Sequence, residues 1–248
     1  MRSTEDLADD LASAVRTTEI FAVYQPQVSL ETGSVVAAEA LCRWRHPHLG
    51  EIDPQRMIDV AERTGVIHAL GRRMLDDGLD TLEEWRKSGR DWAVAVNVSP
   101  LQFDDDSFAQ HVATEVPRRA LRPGSLILEL TSDPQPSADS ALLPRLQMLR
   151  DRGVEISLAG YGTASLPPDR LRQLPLDEVK IPGSLVRATQ AEAQASLREE
   201  VATAHAHGLR VVAEGIETLT HLDIAVRLGC DHAQGFLIRE PDSEIAFP

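Results

Sequence analysis

Glu39 lies in AAEALC and Glu129 in LILEL, two carboxylates each set inside an apolar run. An isolated carboxylate in such surroundings is costly to bury unless it is paired or holds a metal. Further polar residues recur at comparable places: Gln25 in YQPQ, Arg43 in CRW, Asn97 in VNVS, Lys180 in VKI, Glu214 in VVAEG with Glu217 just beyond, and Gln234 in AQGF. Taken singly, each reads blandly as a helix cap or a solvated loop residue. Taken together, Glu39, Asn97, Glu129 and Glu214 offer oxygens of the kind a hard cation such as Mg²⁺ or Ca²⁺ takes. Lys180 and Arg43 add positive charge suited to phosphate oxygens.

Such residues act together only if the fold brings them to one place. FAVYQPQVSL and VVAAEALCRW, joined by ETGS, predict an antiparallel hairpin. Strands and helices alternate after it. AVAVNVS, SLILELTS, VEISLAG, DEVKIP, LRVVAEGI and DHAQGFL read as strands, several of them nearly pure apolar runs, as expected where both faces are covered. The intervening segments read as helices, with AERTGVIHALGRRMLDDGLDTLEEWRKSG and 184–208 as long single ones. Eight strands in this order predict an α/β fold, a TIM-like (β/α)8 barrel whose first strand is antiparallel. In that barrel a polar residue at the C-terminal end of a strand points into the mouth. Residues 1–20 predict an amphipathic helix packed on the barrel, with Leu7, Leu11 and Val15 on one face and Ser3 at its start. Residues 21–248 form the single barrel domain.

The chain has 248 residues, enough for one such barrel, and a formal charge of −14, which argues against a general nucleic-acid binder. Cys42 and Cys230 are far apart in apolar contexts and read as reduced. No apolar run approaches the ~20 residues of a membrane span. The N-terminus carries no basic start with an apolar core, so a cytoplasmic protein is expected. His46 and His48 flank a proline and are expected to shape a turn rather than hold metal.

YQPQ (24–27), EALCRWRHPHLG (39–50), VNVS (96–99), LEL (128–130), VKI (179–181), VVAEGIET (211–218) and QGFL (234–237) occur in the order and at the spacing of the EAL-domain family. The resemblance spans about Phe21 to Pro241 and identifies the chain as similar to the bacterial cyclic-di-GMP phosphodiesterases. In that family two divalent ions activate a water that opens one phosphodiester, giving the linear dinucleotide. By resemblance Glu39, Asn97 and Glu129 are metal ligands. Glu214 acts on metal and attacking water, Lys180 orients that water, and Glu217 is a supporting carboxylate. Gln25, Arg43 and Gln234 are contacts to the dinucleotide, Arg43 on phosphate. No cyclase, receiver or sensor segment is read in the chain.

One stretch departs from the family. Its fifth strand ends in Asp-Asp-Phe-Gly-Thr-Gly, where this chain reads Ala159-Gly160-Tyr161-Gly162-Thr163-Ala164. Both aspartates belong to the metal site. The family glutamate three residues after Glu129 is Ser132 here, and its Lys-Ile-Asp is Lys180-Ile181-Pro182. Two ions about 4 Å apart repel by several kcal/mol without bridging anions. The expectation is that the two-metal site is lost, that one Mg²⁺ or Ca²⁺ remains on Glu39, Asn97 and Glu129, and that the degenerate site binds cyclic-di-GMP without hydrolysing it. Signalling would then pass through a protein partner. The alternatives are a nucleotide-independent interaction scaffold and a weak residual phosphodiesterase. The resemblance also implies dimerisation near the loops after the fifth and sixth strands.

Overall fold

Eight short apolar runs close into a barrel in the computed structural model, which describes residues 4–130, 139–163, 168–188 and 190–243; Ser3, Ser132, Ala164, Pro167 and the side chain of Asp169 lie outside the described residues. β1 (Ile20–Ser29) and β2 (Val35–His46) form the hairpin, and β4 (Ala93–Val98), β5 (Leu126–Leu130), β6 (Glu155–Leu158), β7 (Glu178–Ile181), β8 (Arg210–Ala213) and β9 (His232–Gln234) follow. The sheet order β1-β9-β8-β7-β6-β5-β4-β2, with β1 also paired to β2, closes the barrel. β1 is antiparallel to both its neighbours, whereas the pairs from β2 round to β9 are parallel.

Side chains alternate across each strand. In β5, Leu126, Leu128 and Leu130 join the core under the surrounding helices, with Leu146 and Leu149 of α5 (Asp139–Arg150). Ile127 belongs instead to a small separate cluster with Ala37 and Ala95. Glu129 shares the alternate face with Ile127 and is buried. Each fully buried Leu or Ile contributes about 1.5–3 kcal/mol of apolar burial. α1 (Thr4–Ala14) buries Leu7 and Leu11 against Trp44, Met57 and Ile67 in a third cluster.

The structure divides two helices that the sequence reads as continuous. The first becomes α2 (Pro54–Thr64) and α3 (Ile67–Lys87), because Gly65 adopts the left-handed conformation, φ 76°, that ends α2. The second becomes α7 (Gly183–Val186) and α8 (Ala191–Ala206), separated by a segment in which Gln190 is extended. A short β3 (Gly50–Ile52) pairs outside β2. His46 Nδ1 accepts from the His48 and Leu49 amides at 3.1 and 3.2 Å, so this imidazole braces the turn into β3. The remaining helices are α4 (Ser107–Arg118), α6 (Pro168–Gln173) and α9 (Leu219–Leu228), with a 3₁₀ turn at Pro100–Phe103. No helix among the described residues is long and apolar enough to cross a membrane.

Candidate functional site

Lys180, on β7, is fully buried, and its ammonium ends among three carboxylates. Nζ lies 2.7 Å from Glu39 Oε2, 2.8 Å from Glu129 Oε2 and 2.9 Å from Glu214 Oε1. The three glutamates come from β2, β5 and the end of β8, and an oxygen from each lies within 4.8 Å of the others. An ammonium has three donors, and here each meets an acceptor.

The surrounding amides order this cluster. Asn97 Nδ2 donates to Glu39 Oε1 at 2.7 Å. Gln234 Nε2 donates to Glu39 Oε2 at 2.8 Å and to Gln25 Oε1 at 3.0 Å. Gln25 Nε2 in turn donates to the Arg239 carbonyl at 3.2 Å. Gln234 Oε1 is buried with no partner among the described residues. The sequence-derived residues Glu39, Asn97, Glu129, Lys180, Glu214, Gln25 and Gln234 therefore meet in one network.

The electrostatics follow from dense charge under burial. Burial alone would depress the Lys180 ammonium, but Glu129, Glu39 and Glu214 hold its pKa well above the usual lysine value. Burial pushes Glu39 up; Lys180, Asn97 and Gln234 overcome that and leave its pKa lowered. Glu129 has fewer donors and faces both other carboxylates, so burial and this repulsion raise its pKa well above the ordinary range.

Two predicted residues stand apart from the cluster. Arg43 Nη1 donates to the Cys42 carbonyl at 2.9 Å, and Nε lies 3.9 Å from Glu51. Arg43 lines a cavity of about 470 Å³ that also reaches Glu39 and Asn97 and is walled by Ile67, Leu70 and Met74. Glu217 is half exposed and pairs with Arg187 at 3.4 Å, outside the cluster.

The loop after β6 brings no carboxylate to the mouth from positions 159 and 160. The Ala159 amide continues the ladder to the Leu130 carbonyl at 3.0 Å, and Gly160 follows with φ 73°. Tyr161 is buried, donates its hydroxyl to the Glu200 carbonyl at 3.1 Å, and donates its amide to the Lys180 carbonyl at 2.9 Å. Pro182 sits at the start of α7 in an extended conformation.

Sequence reasoning missed Gln102. Its Oε1 accepts from the Ser99 amide at 3.1 Å, while Nε2, buried and unpartnered among the described residues, lines the same cavity as Arg43. It fits there only because residue 71 is glycine: a Cβ at Gly71 would sit 1.9 Å from Nε2. PLQF after a strand was the available signal, but its capping geometry gives no hint of the open side.

The EAL domain family matches residues 8–241. The bifunctional diguanylate cyclase/cyclic di-GMP phosphodiesterase MucR of Pseudomonas aeruginosa is 35% identical over 238 residues, covering 95% of this chain and 35% of that protein. Cyclic di-GMP phosphodiesterase RocR of the same organism is 31% identical over 240 residues, covering 96% of this chain and 61% of that protein. The chain thus spans between about a third and three fifths of the length of these two relatives. A solved structure of the PaMucR phosphodiesterase in complex with c-di-GMP superposes with a TM-score of 0.88 at 35% identity, covering 96% of this chain and 97% of the other.

Proposed function

The chain belongs to the EAL domain family, and we propose that within it this protein holds cyclic-di-GMP at the barrel mouth without hydrolysing it, signalling its bound state to a protein partner. The observation that carries this reading is the unequal composition of the mouth. Glu39, Asn97, Glu129, Glu214, Gln25 and Gln234 line one network, beside a cavity with Arg43 at its edge and apolar walls suited to a purine face. Positions 159, 160 and 182 carry alanine, glycine and proline.

The donor set suits one hard cation. With an ion beside it displacing the proton that burial favours on Glu129, three carboxylates against the Lys180 ammonium would leave a net charge of −2, which a single divalent ion balances. Glu39, Asn97, Glu129 and Glu214 would hold one Mg²⁺ or Ca²⁺, and such an ion would neutralise phosphate charge. A second ion has no bridging aspartate at 159 or 160 to offset its repulsion from the first. Lys180, tied to all three glutamates, is then left to fix the floor of the site, and Arg43 and Gln234 Oε1 are the groups with capacity to contact ligand.

Calorimetric titration of the protein with cyclic-di-GMP, in Mg²⁺, in Ca²⁺ and in EDTA, tests the reading. Micromolar or tighter binding, about 8 kcal/mol, with the ligand recovered intact, is expected. The lysine–glutamate cluster satisfies itself without ligand, which favours a nucleotide-independent scaffold as the second reading. No binding heat in any of the three conditions would select that scaffold.

A further inference from the structure

The opposite end of the barrel holds a second polar site. A cavity of about 190 Å³ opens at the starts of β4 to β9, lined among others by Gln27, Ala93, Glu155, Glu178, Arg210 and His232. Gln27 is completely buried, yet neither Oε1 nor Nε2 has a partner among the described residues. His232 Nδ1 is likewise buried and unpartnered, 4.0 Å from Glu178 Oε2. Buried polar atoms in native folds are nearly always satisfied by protein, water or ligand, so three together point to an occupant.

The charge around the cavity selects that occupant. Arg210 is already engaged: its guanidinium pairs with Glu155 and, at 3.4 Å, with Glu178 Oε2. Ser157 Oγ donates to Glu178 Oε1 at 2.9 Å, leaving Oε2 turned to Arg210 and His232. Burial raises the Glu178 pKa; with Glu178 ionised beside a cation, two carboxylates against one guanidinium leave a negative charge, so the cavity suits a cation and disfavours an anion. Burial lowers the His232 pKa, so its ring is neutral and offers an acceptor nitrogen. Glu178, Gln27 Oε1 and one ring nitrogen of His232 thus supply acceptors, against donors at Gln27 Nε2 and the other His232 nitrogen. A water takes about 30 Å³ of liquid volume, so the space holds about six waters, or a small cation with a few.

We propose that this cavity binds a compact cation rich in N–H donors, an ammonium ion or the head of a primary amine. It lies one residue pair beneath the mouth. Gln27 and Gln25 share a face of β1, Glu178 and Lys180 a face of β7, and His232 and Gln234 a face of β9. The cation would stand under the strands that carry the candidate site, and its binding does not depend on nucleotide recognition there.

The test is nuclear magnetic resonance titration of the ¹⁵N-labelled protein with methylammonium chloride and, at equal ionic strength, tetramethylammonium chloride. The Gln27 side-chain amide, identified by its loss in Gln27→Met, and the His232 ring signals are followed. Saturable shifts at both groups with methylammonium alone are expected, with a midpoint at least tenfold higher in Glu178→Gln and no saturable shift in Ala93→Leu, which fills the cavity. Ammonium chloride separates the two sources: a midpoint equal to that of methylammonium identifies the free ion, and a higher one identifies an amine. Absence of saturable shifts in the wild type, or equal shifts with tetramethylammonium, overturns the proposal whether or not the variants fold. Unchanged shifts in a folded Ala93→Leu protein overturn it too.

Discussion

The two arcs of the barrel mouth differ in kind. The arc from β1 through β5 presents Gln25, Glu39, Asn97 and Glu129: Asn97 donates to Glu39, Gln234 of β9 bridges Gln25 to Glu39, and Glu39 and Glu129 turn to Lys180. The arc after β6 presents Ala159 and Gly160, and Tyr161 turns inward to Glu200. The first arc carries buried carboxylate charge that needs a cation beside it, and Lys180 reaches across from β7 to supply one. The second is a loop held by backbone hydrogen bonds and by the Tyr161 hydroxyl. The first arc is ordered without any carboxylate from positions 159 and 160, because its side chains are held by one another and by Lys180.

The sharpest break of that contrast is to remove its shared cation. Lys180→Met strands two buried carboxylates, Glu39 and Glu129, and the half-buried Glu214, and breaking a buried ion pair costs about 3–5 kcal/mol. Chemical denaturation at neutral pH should show that loss, and Mg²⁺ or Ca²⁺ should restore more stability to the variant than to the wild type. If the metal makes no difference, the cluster is not a cation site. Rebuilding the second arc comes next. Ala159→Asp/Gly160→Asp/Pro182→Asp should bind two divalent ions where the wild type binds one, as counted by calorimetry. It should form linear dinucleotide at a rate about a hundredfold or more above the detection limit at which the wild type shows none, close to 2.7 kcal/mol of barrier. Aspartate tolerates the left-handed backbone at 160 better than most residues.

Arg43→Ala probes the first arc without touching the lysine cluster. Loss of a charged hydrogen bond of about 1.5–3 kcal/mol should weaken cyclic-di-GMP binding tenfold or more while leaving metal binding unchanged. The smallest effect is expected from Tyr161→Phe, which removes only the bond to the Glu200 carbonyl. It should cost about 1 kcal/mol of stability and leave ligand affinity alone, since the second arc makes no ligand contact in this account.

The same contrast marks what was legible in the sequence. The barrel and its antiparallel first strand were readable because each strand is an apolar run bounded by turn residues, and the inward polar positions stand out against it. The break at Gly65 was hidden because helical periodicity resumes immediately on either side of it. β3 was hidden because three residues are too few to show alternation. That Lys180 contacts all three glutamates at once is a matter of side-chain reach across the lumen, which no local pattern encodes. Nothing within YQPQ marks Gln27 for a role, since its missing partners become visible only once β7, β8 and β9 surround it. The departures at 159, 160 and 182 were legible only by comparison with the family's motif.

The most direct test is to incubate the wild-type protein with cyclic-di-GMP in Mg²⁺ and in Mn²⁺ and to separate the nucleotides by chromatography, with Glu39→Ala in parallel. The wild type is expected to retain the ligand and return it uncut in both metals. Linear dinucleotide formed by the wild type and abolished in Glu39→Ala would contradict it, because the first arc alone would then suffice for hydrolysis.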